Sequence, residues 1–334
     1  MRFAFDDDQL VFAEALREVL SKECGPDVVR QAWGGESSAD LWRQLSDMGV
    51  VGLLAPEGVG GLGLTEIDLV LLLVEAGRAA APVPLSDVAA VAIPAIRDHG
   101  QTDDAESLLG DMCSGARRVA VGLALDGGIV EGAVGAAAYL LEADDGLHLV
   151  DPDVVSLEPV TSVDGARHLS RVTWTPSDAT RLSNAVVGAR QAADRSALAV
   201  AAELCGLSHT MLGMTVGYVS ERKQFGVPVG SYQALKHRLA DALLALEMAQ
   251  PLVWRAAATL STGDADASVH VSMAKAEASV AAGIVSHAAL QCHGAIGYTV
   301  EYDLHLFLKR AWALQRRAGD AAHHRRRVQR AILG

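Results

Sequence analysis

Aromatic side chains are scarce in this sequence. Phe, Trp and Tyr make up 4% of its 334 residues, although half of all residues are hydrophobic. Ala, Val and Leu must therefore fill most of the core, and such small aliphatic side chains suit close-packed helices better than strand-rich sandwiches. Because 50% hydrophobic and 21% charged residues allow a large core, global disorder is excluded. At ~150 residues per domain, length alone predicts about two domains.

Cysteines and long apolar runs are also few. Cys24, Cys113, Cys205 and Cys292 lie far apart and form neither a C-x-x-C pair nor a zinc-ligand spacing, which predicts reduced thiols and no metal site. No apolar run reaches the ~18 residues that would span a bilayer. Residues 1–10 lack the apolar core of a signal peptide. We therefore expect a cytoplasmic protein that does not enter a membrane.

An excess of positive charge is missing as well. The formal net charge is -13 and the isoelectric point is about 5.2. Proteins that bind nucleic acid normally present a basic surface, so this composition argues against that class. The sequence also lacks a G-x-S-x-G motif, a Walker A loop and an H-E-x-x-H motif, so common hydrolase, nucleotidase and metalloprotease signatures are absent.

Helical periodicity is present at both ends of the chain and is interrupted in the middle. Short strand-length runs separated by Gly-Gly, Asp-Asp-Gly and Asp-Gly turns indicate a small antiparallel β domain there. We predict a helical domain over residues 1–115, a β domain over 116–182 and a second helical domain over 183–334. Helices are predicted over 6–23, 39–48, 66–80, 191–221, 232–260, 266–290 and 301–317.

Gly58, Gly60 and Gly63 formally match G-x-G-x-x-G. A dinucleotide site would require this motif to end a strand and open a helix inside a βαβ unit. The preceding Ala-Pro-Glu is a poor strand end, and both flanks are helical. We therefore interpret the segment as a loop between helices, with Thr65 capping the helix that follows.

Two later segments contain groups suited to phosphate. In the first, Arg222 follows a long helix and could hold a phosphate through a bidentate contact, and Ser231 is positioned to cap the next helix. In the second, Gly294 and Gly297 would leave backbone amides accessible to a pyrophosphate, and Gln291 offers a side-chain amide. Taken alone, each segment could equally be an ordinary turn between helices.

Together and in this order, these segments resemble the acyl-CoA dehydrogenase family. Residues 56–63 resemble its N-terminal signature, and residues 222–226 and 291–298 resemble its two C-terminal flavin signatures. The resemblance covers nearly the whole chain. It implies a mainly α fold with a helical N-terminal domain, a central antiparallel, barrel-like β domain and a C-terminal four-helix bundle that builds a tetramer. It also implies FAD as cofactor and an acyl-CoA substrate.

In this family FAD lies between subunits, so one chain contacts the nucleotide end of a flavin whose ring lies on its neighbour. The resemblance therefore implies a set of residues that contact the pyrophosphate and adenosine of FAD: Arg222, Gln224, Phe225, Gln291, Gly294 and Gly297.

The family's catalytic base does not have a counterpart here. Family members remove an α proton with a glutamate while flavin N5 accepts the β hydride. The commoner position of that glutamate falls at Ala318 and Gly319, and the alternative position falls at Ser196, with Asp194 and Glu203 out of register. We therefore predict no catalytic residue in this chain.

The family's flavin-ring contacts are missing too. Its Thr-Glu-Pro and Gly-Ser-Asp elements are replaced here by residues 123–128 and by Gly135-Ala136, which lack the hydroxyl and amide donors. These losses are typical of a non-catalytic subunit in a heteromeric (α2β2) steroid-CoA dehydrogenase of actinobacterial type. Such a subunit implies a partner that carries the catalytic glutamate and an acceptor of the electron-transfer-flavoprotein type.

Other functions stay open at this point. A self-sufficient homotetrameric dehydrogenase would use Glu203 or Asp194 as its base. A flavin monooxygenase, or a catalytically silent scaffold, could also occupy the same fold.

Overall fold

The computed structural model describes residues 4–100 and 103–334. Residues 1–3, which belong to the N-terminal segment discussed above as a possible signal peptide, lie outside the described residues. Helices dominate both ends of the described chain. The helices are α1 (Asp7–Glu23), α2 (Pro26–Trp33), α3 (Ala39–Asp47), α4 (Glu66–Arg78), α5 (Ile93–His99), α6 (Asp103–Cys113), α7 (Ala185–Glu221), α8 (Gln233–Ser261), α9 (Ala267–His293), α10 (Leu304–Arg316) and α11 (Ala321–Leu333). The strands are β1 (Val119–Gly122), β2 (Ile129–Glu131), β3 (Ala138–Ala143), β4 (Gly146–Val150), β5 (Ser156–Val160), β6 (Leu169–Thr173), β7 (Lys223–Gln224) and β8 (Val227–Pro228).

Local capping explains where the N-terminal helices begin. Thr65 and Asp68 form a reciprocal capping box at α4, which confirms the predicted cap. The glycine-rich loop before it lies between α3 and α4, as predicted. Gly61 is required there because a Cβ at this position would lie 2.2 Å from the carbonyl oxygen of Ala55. The loop therefore closes back on its own start and does not open toward a nucleotide.

The middle of the chain forms two three-stranded sheets, ordered β1-β3-β4 and β2-β6-β5. The mainly α fold with a central β domain is thus confirmed, but one strand pair differs from the expected antiparallel arrangement. β1 and β3 are parallel, with Val119 opposite Ala138. After β1 the chain crosses to the second sheet, where it forms β2, and then returns to form β3. A crossover connection of that kind permits parallel pairing. β2 was not predicted because three residues are too short to show periodicity.

The C-terminal helices pack around α7, whose 37 residues run through the centre of the molecule. By length and composition α7 is the one helix of the described residues that could cross a membrane. However, 72% of its most apolar stretch is buried inside the protein, as expected for a core helix. Isolated polar residues interrupt the apolar runs of α7, so run lengths in the sequence did not predict this stretch.

Helices α4 and α7 cross at two glycines. A Cβ on Gly77 would lie 2.3 Å from the carbonyl oxygen of Glu203, and a Cβ on Gly206 would lie 2.0 Å from that of Val74. Real Cβ contacts do not approach so closely, so the two backbones touch directly. The void that remains beside this contact measures about 10 Å³ and is lined mainly by leucine and alanine side chains.

We expect Gly206→Ala to destabilise the protein, because the added methyl group must push α4 away from α7. Overpacking of this kind costs about 3 kcal/mol. Thermal and urea denaturation should show the loss. Gly213→Ala is the matched control, since a Cβ at Gly213 on the same helix meets no atom within 4 Å. That variant should gain about 0.5–1 kcal/mol from helix propensity, and equal losses in both variants would contradict the proposed contact.

Candidate cofactor site and a filled catalytic region

The first predicted cofactor segment is a hairpin that follows α7. Arg222 caps the end of α7 and its backbone N–H donates to the carbonyl of Tyr218 at 2.9 Å. Gln224 closes the short ladder opposite Val227. Both Arg222 and Gln224 are exposed, and Arg222 forms no ion pair within the described chain. The guanidinium is therefore free to bind an anion.

The tip of this hairpin is strained. Phe225 and Gly226 have φ angles of 53° and 85°, the pair of positive values that a type I′ turn requires. A phenylalanine in this region costs about 1–2 kcal/mol. The turn leaves the Phe225 side chain 93% exposed. A strained, fully exposed aromatic residue is unexpected for a structural turn and suits contact with another molecule.

The next helix does not begin as predicted. Tyr232, not Ser231, is the N-cap residue of α8, and no side chain caps the helix. The hydroxyl of Ser231 instead donates to the carbonyl of Pro228 at 2.7 Å, because the chain makes an additional 3₁₀ turn there. Ser231 thus stabilises the hairpin loop.

The second predicted segment ends α9. Gln291 lies exposed in the last turn of the helix, and Gly294 terminates it with a φ angle of 66°. A Cβ on Gly294 would meet nothing within 4 Å, so the space beside it is open. Its N–H already donates to the carbonyl of Leu290, however, and is not the accessible amide that the sequence predicted. Gly297, in contrast, is buried, and a Cβ there would lie 2.9 Å from the Cβ of His293. Its amide is not exposed as expected, and the glycine is needed for packing.

The structure brings the two segments side by side. The rings of Tyr218, one turn before Arg222, and His293, two residues after Gln291, stack with centroids 4.4 Å apart. An exposed guanidinium, a side-chain amide and an uncrowded glycine backbone thus lie on neighbouring elements. These groups fit a pyrophosphate. Their role as cofactor contacts stays a prediction.

The region that would hold a catalytic base is filled by charged side chains. Arg317 lies directly before Ala318 and Gly319, the positions matched to the family glutamate, and its side chain is 8% exposed. Its guanidinium pairs with Asp87 and lies 3.4 Å from a carboxylate oxygen of Glu131. Because these three residues come from the three predicted domains, the ion pairs join all of them. We call the set the Arg317 cluster, and it also includes Arg167, Arg310, Asp164 and Glu203.

The remaining members of the Arg317 cluster complete the pairing. Arg167 donates to Glu131 at 2.6 Å, and Arg310 pairs with Asp164 and donates to the carbonyl of Ala81 at 3.1 Å. Burial works against ionisation of Glu131, but Arg167 and Arg317 nevertheless hold its pKa down at about 2. Glu131 is therefore a permanent anion between two arginines.

Two carboxyl groups of the cluster behave differently. Burial raises the pKa of Asp87 from 3.8 to about 6, although Arg317 opposes the shift. Burial likewise raises the pKa of Glu203 from 4.5 to about 7, against the attraction of Arg317 and Arg310. Glu203 keeps some solvent exposure and has Ser86 as a hydrogen-bonding neighbour. A carboxyl group with a pKa near 7 can act as a general base, so Glu203 remains a chemical candidate.

The loop that follows Arg317 is held on all sides. The N–H of Ala318 donates to Asp126 at 3.0 Å, and the ammonium of Lys275 donates to the carbonyl of Gly319 at 2.9 Å. Lys275 is fully buried, and this burial lowers its pKa to about 7. Asp126 belongs to the segment that replaces the family's flavin-edge loop. The loop that would carry the base therefore touches the loop that would hold the flavin ring.

The space left for a flavin ring does not match one. An open cleft of about 280 Å³ lies between the end of β1 and the end of α10, with Glu131, Arg167 and Arg317 among its lining residues. The lining contains no Ser, Thr, Asn or Gln. The residues along this cleft therefore lack the hydroxyl and amide donors that the family resemblance implies for the flavin ring.

The other acidic candidate is already engaged. Arg327 donates to Asp194 at 2.8 Å, and Ser196 is buried.

Sequence reasoning did not identify Arg317, Lys275 or Asp87, because no local motif marks a pair of residues 230 positions apart. In residues 4–100 and 103–334, no three His, Cys, Asp or Glu side chains are grouped so that they could hold a metal ion.

Helices on both sides of a small β domain, with two phosphate-suited turns in the C-terminal half, define the architecture of an acyl-CoA dehydrogenase. The model of the N-terminal domain of these enzymes matches residues 6–116, and that of the C-terminal domain matches residues 188–333. This chain belongs to the acyl-CoA dehydrogenase family, whose members are oxidoreductases acting on CH–CH bonds with FAD as cofactor.

Several known proteins are similar over the full length. The acyl-CoA dehydrogenase IpdE2 of Mycolicibacterium smegmatis is 31% identical over 98% of this chain and 99% of its own. The structure of a G363A variant of the steroid ACAD Tcur3481-Tcur3483 is 28% identical with a TM-score of 0.86, covering 98% of both chains. The ChsE4-ChsE5 complex from Mycobacterium tuberculosis shares the fold, with 24% identity, a TM-score of 0.88 and coverage of 100% and 99%.

We expect Arg317→Met to destabilise the protein strongly, because it leaves the Asp87 carboxylate buried without its partner and removes one of the two arginines beside Glu131. Breaking a buried pair in this way costs about 3–5 kcal/mol. Denaturation should show a smaller loss at pH 5 than at pH 8, since Asp87 becomes protonated in the acid range. Arg316→Met is the control, because Arg316 is exposed and forms no ion pair within the described residues. Equal stability of the two variants would refute the buried cluster.

Proposed function

We propose that this chain is the non-catalytic subunit of a heteromeric acyl-CoA dehydrogenase. Its Arg222 and Gln291 segments complete the FAD site of a partner subunit, and that partner carries the catalytic glutamate. One observation carries the proposal: the Arg317 cluster occupies the place of the base, whereas Arg222 is exposed and forms no ion pair within the described residues.

The contact between α4 and α7 leaves no room for an acyl chain between these two helices. They touch at Gly77 and Gly206, and the void beside them measures about 10 Å³, whereas ligand pockets commonly measure about 300–1,000 Å³. A larger cleft of about 910 Å³ lies elsewhere, beside Pro82, Val83 and Glu131. Because the catalytic glutamate is assigned to the partner subunit, we assign the thioester of the substrate, with a steroid-CoA as the proposed class, to that subunit too.

An exposed apolar face supports the need for a partner. Leu243, Leu244 and Met248 of α8 are exposed, while Ala242 and Leu246 on its other side are buried against the rest of the protein. Large apolar side chains on one face of a helix normally mark an interface. The name of the ChsE4-ChsE5 complex shows that proteins of this fold form complexes of two chains.

Within the proposed complex, FAD would supply a hydride acceptor for the acyl-CoA, and a cytoplasmic acceptor of the electron-transfer-flavoprotein type would reoxidise it. The residues of this chain would contribute only binding. Arg222 would neutralise phosphate charge, the side-chain amide of Gln291 would donate a hydrogen bond, Gly294 would leave room for the cofactor, and Gln224 and Phe225 would contact the adenosine end. Such contacts orient the cofactor without taking part in proton transfer.

We expect the flavin content to be one half per chain. When this chain is purified from its native host through an affinity tag, the complex should contain one FAD for every two chains, counted over both subunit types by flavin absorbance and protein quantification. The chain expressed alone should hold no FAD and oxidise no acyl-CoA. One FAD per chain would favour the homotetrameric enzyme, and no flavin in any assembly would favour a silent scaffold.

The homotetrameric alternative has one observation in its favour, the pKa of about 7 at Glu203. Asp194 is less suitable because its carboxylate already pairs with Arg327. If Glu203 were the base, its removal would lower the rate by about 10²–10⁴-fold.

We expect Glu203→Gln to leave acyl-CoA oxidation by the complex within twofold of the wild type. The same variant should still change stability in a defined direction. Because the pKa of Glu203 is raised by folding, its favourable contribution to stability is complete below about pH 4.5 and is lost as the pH rises to about 7. Glu203→Gln should therefore raise the melting temperature relative to wild type at pH 8 but not at pH 4.5. A rate loss above 100-fold would show that Glu203 is catalytic.

A further inference from the structure

An aromatic cluster with a buried histidine and two half-buried tyrosines lies between the two cofactor segments. The imidazole of His293 stacks on the ring of Tyr218 at 4.4 Å, with an interplanar angle of 24°. The centroid of Tyr302 lies 5.0 Å from the imidazole and 5.9 Å from the Tyr218 ring, so the three rings form one group. Since Tyr218 belongs to α7 and His293 to α9, the stack fixes the separation of these two helices where both end.

Each end of the stack is tied to a cofactor segment. The carbonyl of Tyr218 accepts the backbone N–H of Arg222, so the position of the tyrosine sets that of the arginine. His293 lies between Gln291 and Gly294 in the chain. Any shift of the imidazole therefore moves the amide groups of the second segment relative to the guanidinium of the first.

The imidazole itself cannot serve as a ligand-binding group. Its Nδ1–H donates to the carbonyl of Ala289 at 2.8 Å, which leaves Nε2 as the unprotonated nitrogen. Nε2 is buried and has no hydrogen-bond partner in the described structure. Burial also lowers the pKa of His293, so the ring is neutral. A neutral ring that is 5% exposed acts through its shape and stacking.

The turn that follows α9 also packs against His293. The Cβ of His293 lies 2.9 Å from where a Cβ on Gly297 would stand, so only glycine permits this approach. The cluster thus contacts the second segment on both sides of Gly294. A smaller residue than histidine would leave a gap between α7, α9 and this turn, into which the backbone could relax.

We propose that His293 is a positioning residue for FAD binding: its stacking on Tyr218 holds Arg222 and the Gln291–Gly294 turn at the spacing that lets both reach one pyrophosphate. This inference rests on the proposed function of the two segments. Two contacts to one ligand bind tightly only when their separation is fixed in advance, and the stack supplies that preorganisation.

The test measures FAD affinity of the deflavinated complex by quenching of flavin fluorescence. His293→Ala should raise the dissociation constant of FAD at least tenfold, because the separation of the segments is no longer fixed. His293→Phe keeps a flat ring and should stay within threefold of the wild type. Arg222→Met tests the cofactor segment itself and should also raise the dissociation constant at least tenfold.

A stability control separates positioning from general damage. Gly206→Ala perturbs the α4–α7 contact away from the cofactor segments and should lower the melting temperature while leaving the FAD dissociation constant unchanged. If Arg222→Met weakens FAD binding but His293→Ala does not, the positioning role is wrong and the proposed function stands. If neither variant weakens binding, the proposed function itself is wrong. Equal losses in His293→Ala and His293→Phe would overturn the stacking argument.

Discussion

The ion pairs of Arg317 are the interaction on which the rest of the molecule depends. Its guanidinium lies where the three predicted domains meet, paired with Asp87 from the N-terminal helices and close to Glu131 from the β strands. A buried charge is tolerated only when its partners are in place, so these contacts fix the relative positions of the three parts of the chain. The same arginine precedes the two positions matched to the family glutamate. Under the proposed function, one residue therefore both stabilises the fold and accounts for the missing base.

The chain is closely packed around Arg317 and between α4 and α7, whereas the surface around Arg222 is open. Gly77 and Gly206 let α4 and α7 touch, and Asp126 holds the loop after Arg317. At the nucleotide end, by contrast, Arg222 remains without a carboxylate and Phe225 is held exposed at energetic cost. A chain under selection for stability alone would have no reason to retain the second set.

What could be predicted from the sequence depended on how far the signal extends along the chain. Thr65 and the turn glycines act within a few residues. Most of the predicted long helices were placed to within three residues of their ends, but α7 begins six residues before its predicted start. Ser231 was misassigned because an additional 3₁₀ turn moved the helix start by one residue. The parallel pairing of β1 and the partnership of Arg317 with Asp87 depend on residues that meet only after folding, and no periodicity encodes them.

The charge balance of the Arg317 cluster explains why a catalytic glutamate would be difficult to introduce there. Arg167, Arg310 and Arg317 face the carboxylates of Asp87, Glu131 and Asp164, so the cluster is neutral when Glu203 holds its proton, as a pKa of about 7 permits. Placing a glutamate at Ala318 would add a fourth buried anion beside this balanced set. Removing Arg317 to admit a flavin ring would leave Asp87 without its partner and Glu131 with Arg167 alone. Because each change is unfavourable alone, introducing a base here would require several changes together, which agrees with the proposed dependence on a catalytic partner.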